Sequence, residues 1–338
     1  MPGFERFNRV VIADRGDAGQ RVDLVLRRHL RDVATASRTR VQAWIENGLV
    51  TINGRPVRRV ATRAALGDRV VVDLHDARPR RAMTAEHVPL DVLFEDEFLL
   101  AIDKPAGMVV HPAYKNPTGT VMNALLWHAR GWPASSRPSI VGRLDKLTSG
   151  VVLAAKTSAM HAALQRASTS HDAEKDYLAV VYGRVNAARG AIDLRLAKDR
   201  RRRRTVASRD LGAPSLTRFA RLARVAAPRA GLTLLGCSLV TGRAHQIRAH
   251  LAARGWPLVG DPIYGEPRWR DVDDPTLASA LRAFPRQALH AWRLAFTHPV
   301  TRARMVFTAP VPRDLEELLA TAQLDMCSAG LSAPRSRP

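Results

Sequence analysis

Cysteine is nearly absent from this 338-residue sequence: Cys237 and Cys327 are its two thiols. Neither sits in a ligand-type cluster, which argues against a disulfide framework and a cysteine-based zinc site. A reducing cytoplasm is the expected setting. Long apolar runs are missing too. No stretch of about 18 apolar residues occurs, so a membrane span is not expected. The opening Met1-Pro2-Gly3-Phe4-Glu5-Arg6 lacks the apolar segment of a signal peptide. Acidic residues are in short supply, with 31 Asp+Glu against 53 Lys+Arg and a formal net charge of +22. Lysine is scarce, and arginine and alanine are abundant, as a GC-rich coding sequence would give. A surplus of this size still favours a polyanionic partner, nucleic acid first. There is no Gly-rich loop ending in Lys-Ser/Thr, so nucleotide hydrolysis of the P-loop kind is not expected. Internal repeats are absent. Coiled-coil heptads are absent as well, so nothing demands a dimer, and a monomer is expected.

What is present suffices for two domains, with hydrophobic residues at 46% to fill their cores. After an N-terminal segment, residues 1–16, a small basic unit is expected over 17–76. Val22, Val25, Leu26 and Leu30 recur at helical spacing. Ser37 is a good N-cap, and Val41, Trp44 and Ile45 give the next helix an apolar face. Leu49-Val50-Thr51-Ile52 reads as a strand, Asn53-Gly54 as a tight hairpin turn, and Arg69 to Asp73 as a further strand. Arg38, Arg40, Arg55, Arg58, Arg59 and Arg63 surround these elements and are candidate phosphate contacts. Residues 77–88 read as a basic linker, 89–322 as a larger α+β domain, and 323–338 as a disordered tail. In the larger domain, Val92–Phe94 and Phe98–Ile102 suggest a hairpin. Thr157 can cap a helix running to Arg166, and Tyr177–Tyr182 and Leu232–Val240 read as strands.

One run carries most of the chemistry: Gly142-Arg143-Leu144-Asp145-Lys146-Leu147-Thr148-Ser149-Gly150. It sets one carboxylate between two cations, with a hydroxyl pair and a glycine behind. The apolar Val151-Val152-Leu153-Ala154-Ala155 follows and reads as a buried strand. A polar turn feeding a core strand can hold a reactive side chain rigidly. Asp145 could equally be a turn-capping aspartate if nothing else accompanied it.

Four more stretches accompany it, in order. They are Asp103-Lys104-Pro105-Ala106-Gly107-Met108-Val109-Val110-His111-Pro112, then Lys175-Asp176-Tyr177-Leu178-Ala179-Val180-Val181-Tyr182-Gly183. Thr241-Gly242-Arg243-Ala244-His245-Gln246-Ile247-Arg248-Ala249-His250-Leu251 continues to Gly260-Asp261-Pro262-Ile263-Tyr264-Gly265. Leu289-His290-Ala291-Trp292-Arg293-Leu294 with His298-Pro299 closes the series. Together the five resemble the motifs of the RluA/RluD-type pseudouridine synthases over about 90–310. The unit at 17–76 resembles the small RNA-binding module named after ribosomal small-subunit protein four.

The resemblance implies a catalytic domain with a mixed, largely antiparallel sheet, behind a small N-terminal α/β RNA-binding domain. It implies an RNA uridine isomerase with Asp145 as the essential catalytic residue, Tyr177 as the active-site tyrosine and Arg248 as the partner of Asp145. Burial disfavours a carboxylate's charged form, and a bidentate arginine opposes that and fixes its direction. Tyr177 offers a ring to stack on uracil and a hydroxyl to handle a proton. Arg143 would fill the place of a flipped-out uridine. Ile247 would line the uracil pocket, and His245 and Gln246 would contact RNA. The isomerisation needs no redox step, so no cofactor is expected. Ribosomal RNA, large-subunit first, is the preferred substrate. Transfer RNA and a non-catalytic role in ribosome assembly are the alternatives.

His245 and His250 are five residues apart with no cysteine or acidic companions, so no metal is expected there. His111, His290 and His298 are expected to make structural hydrogen bonds or contact RNA. Lys198 to Arg204 holds six basic residues, Arg201 and Arg203 among them, and is a candidate phosphate clamp. The chain departs from the family pattern at Gly142, where His is usual, at Leu147, where a polar or acidic residue is common, and at Ala244, where Thr is common. These leave the nucleophile, the tyrosine and the arginine in place and change the loop around them.

Overall fold

The computed structural model describes residues 7–33, 36–74, 83–113, 116–199, 201, 204–225, 231–265 and 267–325. It comprises two compact units, Met1–Met83 and Thr84–Pro338. In the first, strands Phe7–Ile12 (β1), Val50–Ile52 (β2), Arg55–Val57 (β3) and Arg69–Leu74 (β4) form an antiparallel sheet ordered β1-β4-β2-β3. Asn53 and Gly54 both take positive φ between β2 and β3, the backbone an Asn-Gly hairpin turn requires. Helices Val22–His29 (α1) and Arg38–Glu46 (α2) cover the sheet through Val22, Val25, Leu26, Val41, Trp44 and Ile45. Ser37 caps α2 by accepting the Arg40 N–H at 3.3 Å. Sequence patterning missed β1. It pairs with β4 over its full length, yet of its residues 8–12 only Val11 is buried. An edge strand with so little inward surface leaves a weak alternation signal.

The second unit contains strands Asp91–Glu95 (β5), Leu99–Lys104 (β6), Ser139–Val141 (β7), Ser149–Ala155 (β8), Glu174–Tyr182 (β9), Arg189–Asp193 (β10), Arg195–Asp199 (β11), Arg204–Ser208 (β12), Leu216–Val225 (β13), Leu232–Leu239 (β14), Leu289–Thr297 (β15) and Arg304–Thr308 (β16). Its helices are Val121–His128 (α3), Ser158–Ala167 (α4), Gln246–Ala253 (α5), Pro275–Ala283 (α6) and Arg313–Thr321 (α7). The main sheet runs β10-β13-β14-β9-β15-β8-β6-β5, with β7 added to β8 and β16 to β15. All its pairings are antiparallel except β8 with β15. The mixed, largely antiparallel α+β architecture matches expectation. Every residue of β8 is buried, which explains why its sequence is apolar on both faces.

The pairing around β8 makes an opening. β8 and β15 meet only at Ser149↔His290 and Gly150↔Ala291. Beyond that point the same edge of the sheet is taken by β7 against Leu153–Ala155, and β15 pairs with β16. The two central strands therefore part. A cavity of about 100 Å³ lies in the fork, lined by Val151–Leu153, Ala291, Arg293 and Leu294, with Arg143, Leu144, Lys175 and Tyr177. At the crotch, Gly150 is obligatory. It has φ +113°, and a Cβ there would lie 2.2 Å from the Ala291 carbonyl oxygen.

Candidate active site

The turn that carries Asp145 joins β7 to β8. It starts at Gly142, whose φ of +80° lies in the left-handed region that suits glycine. Histidine, usual in the family there, would be strained in this backbone. Several groups from distant parts of the chain hold the turn. Lys104, fully buried, donates to the carbonyls of Pro105 (2.7 Å), Met108 (3.0 Å) and Lys146 (3.2 Å). The Gly107 N–H also donates to the Lys146 carbonyl. Arg286 reaches the Leu147 carbonyl (3.4 Å), Gln287 donates to Thr148 Oγ1 (3.0 Å), and His290 Nδ1 lies 2.9 Å from Ser149 Oγ. Burial, helped by the nearby Arg286 charge, pulls the Lys104 ammonium down to about 7.

Asp145 is 19% exposed, while Arg248, on α5, is 4% exposed. Arg248 Nη1 donates to Asp145 Oδ2 at 2.7 Å. This is a single contact, not the bidentate pair expected from sequence. The fork of Arg248 goes elsewhere: Nε and Nη2 grip the two oxygens of Asp261 at 2.7 and 2.8 Å. Asp261 Oδ1 also accepts the Ile263 and Tyr264 N–H groups at 2.9 and 3.1 Å. A guanidinium has two usable edges, and Asp261 occupies the better-matched one. Burial opposes ionisation of Asp261, but the Arg248 charge and the two amides outweigh it and hold this carboxyl below the usual range. The same contacts raise Arg248 against its own desolvation. Among the described residues, Asp145 Oδ1 has no hydrogen-bond partner.

Tyr177 packs against two core clusters, one that includes Leu144, Val152 and Ala291 and one that includes Ile247 and Leu289. Burial, with the Asp145 and Asp176 charges, pushes its phenol well above the ordinary range, so it is neutral at neutral pH. Arg143 is exposed at the rim of the cavity. Ile247 belongs to the core beneath Tyr177. Gln246, expected at the RNA surface, is buried and engaged inside the protein. Its Oε1 accepts from Thr241 Oγ1 and the Arg243 N–H, and its Nε2 donates to the Leu216 carbonyl and Thr217 Oγ1. His245 takes a left-handed φ of 56° just before α5. Its Nε2 lies 3.8 Å from Asp145 Oδ2, and burial lowers its pKa despite the Asp145 charge.

Arg38, Arg40, Arg55 and Arg59 are all exposed on the first unit. In the second, Arg201 is exposed between β11 and β12, and Arg203 lies outside the described residues. His250 is buried between Thr217 Oγ1 and the Leu194 carbonyl. His298 Nδ1 accepts the Val300 and Thr301 amides. Sequence reading left four residues without a role: Lys104, Asp261, Tyr264 and Arg286. Asp261 had a signal, since an aspartate before proline in a short polar stretch starts turns by accepting amides two and three residues on.

The chain matches the family model described as RNA pseudouridylate synthase over residues 98–253 and the S4 domain over 35–70. It is 39% identical over 302 residues to the ribosomal large subunit pseudouridine synthase D of Nitrosomonas europaea, covering 89% of this chain and 84% of that one. Against the Xanthomonas campestris protein of the same name identity is 39% over 319 residues, with 94% and 93% covered. The solved human RNA pseudouridylate synthase domain containing 4 superposes with a TM-score of 0.55 at 21% identity, over 70% of this chain and 94% of that one. Domain containing 1 gives 0.53 at 23%, over 71% and 90%. The fold is shared with these structures, and the relatives match along nearly the whole length. This chain belongs to the RNA pseudouridylate synthase family.

Proposed function

We propose that the enzyme converts uridines of large-subunit ribosomal RNA to pseudouridine, with Asp145 as the catalytic residue. The curated relatives bear that substrate in their names. The observation that carries the reading is the unequal treatment of the two Asp145 oxygens. Oδ2 is tied to Arg248, while Oδ1 stays open. A carboxylate fixed and charge-balanced through one oxygen keeps the other as a nucleophile or charge stabiliser when the ribose–N1 bond breaks. The base then turns and rejoins through carbon five, whose proton leaves. Tyr177 supplies the ring on which uracil stacks. Its neutral hydroxyl relays that proton, giving its own to water as it takes the one from carbon five, while the freed N1 gains a proton from water. Arg143 fills the stack vacated by the flipped nucleotide. The 17–76 unit and the 195–208 hairpin contact phosphates through Arg38, Arg40, Arg55, Arg59 and Arg201. Residues 89–322 carry the chemistry. We place the protein in the cytoplasm, where its two thiols remain reduced.

Tritium release from RNA labelled at uracil carbon five tests this. Wild type should release tritium from unmodified large-subunit RNA. Asp145→Asn should bind that RNA with unchanged affinity and release none. Release by the Asn variant would end the assignment of Asp145. Release from transfer RNA alone would change the substrate. Tight binding without release would leave a non-catalytic assembly factor.

A further inference from the structure

The hairpin of β11 and β12 is a two-stranded sheet of its own. Thr205 stands opposite Lys198 in it, and its N–H and C=O turn away from β11. Tyr264 takes both. Its hydroxyl donates to the Thr205 carbonyl at 2.8 Å and accepts the Thr205 N–H at 3.2 Å. The same oxygen lies 3.1 Å from His245 Nδ1. A phenol has one proton, and the shortest contact claims it for the Thr205 carbonyl. Toward His245 the hydroxyl can then only accept, so Nδ1 carries the hydrogen. In the neutral ring Nε2 is left bare, and it is this nitrogen that lies 3.8 Å from Asp145 Oδ2. The ring of Tyr264 meets His245 edge-on, with centroids 5.8 Å apart, and the Arg248 Cζ lies 5.2 Å from its centre. Arg204 reaches the same segment from the hairpin, at the Ile263 carbonyl.

We propose that Tyr264 is a positioning residue that links the basic hairpin to the catalytic carboxylate by fixing the tautomer of His245. Through it, phosphates seated on the hairpin steady the acceptor that faces Asp145. The inference rests on the proposed isomerase reading, but its first test does not.

Imidazole nitrogen shifts, with histidine labelled with nitrogen-15 and the His245 signals assigned by loss in His245→Gln, distinguish the two tautomers without RNA. In the wild-type chain His245 should be protonated at Nδ1, and in Tyr264→Phe, which keeps the ring, at Nε2. Tritium release should then show Tyr264→Phe with kcat lowered about tenfold, the equivalent of one hydrogen bond. KM for RNA should stay within about twofold. Arg201→Gln should do the reverse, raising KM more than it lowers kcat. The same tautomer in wild type and Tyr264→Phe would overturn the proposal, as would a Tyr264→Phe defect confined to KM. Absence of tritium release by wild type, with the tautomer switch intact, would overturn the isomerase reading and leave the link standing.

Discussion

Arg248 and Arg286 use the same edge of the guanidinium for the same task and point the other edge at different chemistry. Each grips an aspartate through Nε and Nη2, Asp261 for one and Asp314 for the other. Each sends Nη1 to the turn at 145–147. Arg248 meets the Asp145 carboxylate, whereas Arg286 meets the carbonyls of Leu147, Gln287 and Leu289. The anchors differ in depth: Asp261 is fully buried, and Asp314 is 35% exposed. A buried cation aimed at a carboxylate sets charge and direction together, while one aimed at carbonyls sets only the shape of the turn. Under the proposed role of Asp145, orienting the carboxylate and shaping the turn are separate duties of two similar forks.

The sharpest way to break the comparison is Asp261→Asn. It leaves a buried guanidinium with half its charge balance, and breaking such a pair costs about 3–5 kcal/mol. Thermal melts should show that loss, and turnover of the folded fraction should collapse with it. Undiminished turnover would show that Asp145 alone suffices to hold Arg248. Arg286→Lys should be milder, about 1–3 kcal/mol for lost hydrogen bonds, because water reaches Asp314. Its kcat should remain within about tenfold of wild type. A collapse like that of Asp261→Asn would merge the two duties. Gly142→His puts a side chain at φ +80° into open space, so it should cost about 1–2 kcal/mol of backbone strain in melts. No loss would mean that the two forks leave the turn free to relax.

The smallest effect sharpens the comparison from outside, because Asp103 is an aspartate with no fork. It stands opposite Asp91 across β5 and β6, and burial, with the Asp91 charge, raises it from 3.8 to about 6. A raised folded value means that the fold prefers the protonated form, so stability falls as pH rises from 3.8 through 6. Asp261 and Asp314 have depressed values, so their contributions are present at neutral pH and lost as acid is added. Asp103→Asn should therefore raise the melting temperature by a few degrees at pH 8 and change nothing near pH 3. Equal gains at both pH values would point to packing, not charge.

These residues also mark what could be read before the structure. The Asp145 turn, the buried strand behind it, the capped helices at Ser37 and Thr157, and the hairpin at Asn53-Gly54 depend on neighbours within a few positions. Local pattern therefore reveals them. Tyr177 and Arg248 were legible through motif resemblance, and the structure brings them to Asp145. The second fork was not legible. Arg286 and Leu147 are separated by 139 residues, and no periodicity encodes a guanidinium meeting a carbonyl at that distance. Gln246 misled for a related reason, since a polar residue inside an RNA-enzyme motif looks like a ligand contact until its four hydrogen bonds are seen. The arginine edge that Asp261 occupies was likewise invisible, because sequence names the partners of a charge but not its geometry.

The meeting of β8 with β15 has a consequence in time. His290 contacts Ser149 across 141 residues, and Gly150 pairs with Ala291 in the same two-residue ladder. Everything that immobilises the catalytic turn from that side, including Arg286 and Gln287, is made late in synthesis. Translation runs at about 5–20 residues per second, so for some seconds the nascent chain carries the Asp145 turn with only its upstream braces, Lys104 and Gly107. The site around Asp145 cannot be assembled from the first half of the protein, because Arg248 and the 286–290 segment that contacts the turn both come from the second half.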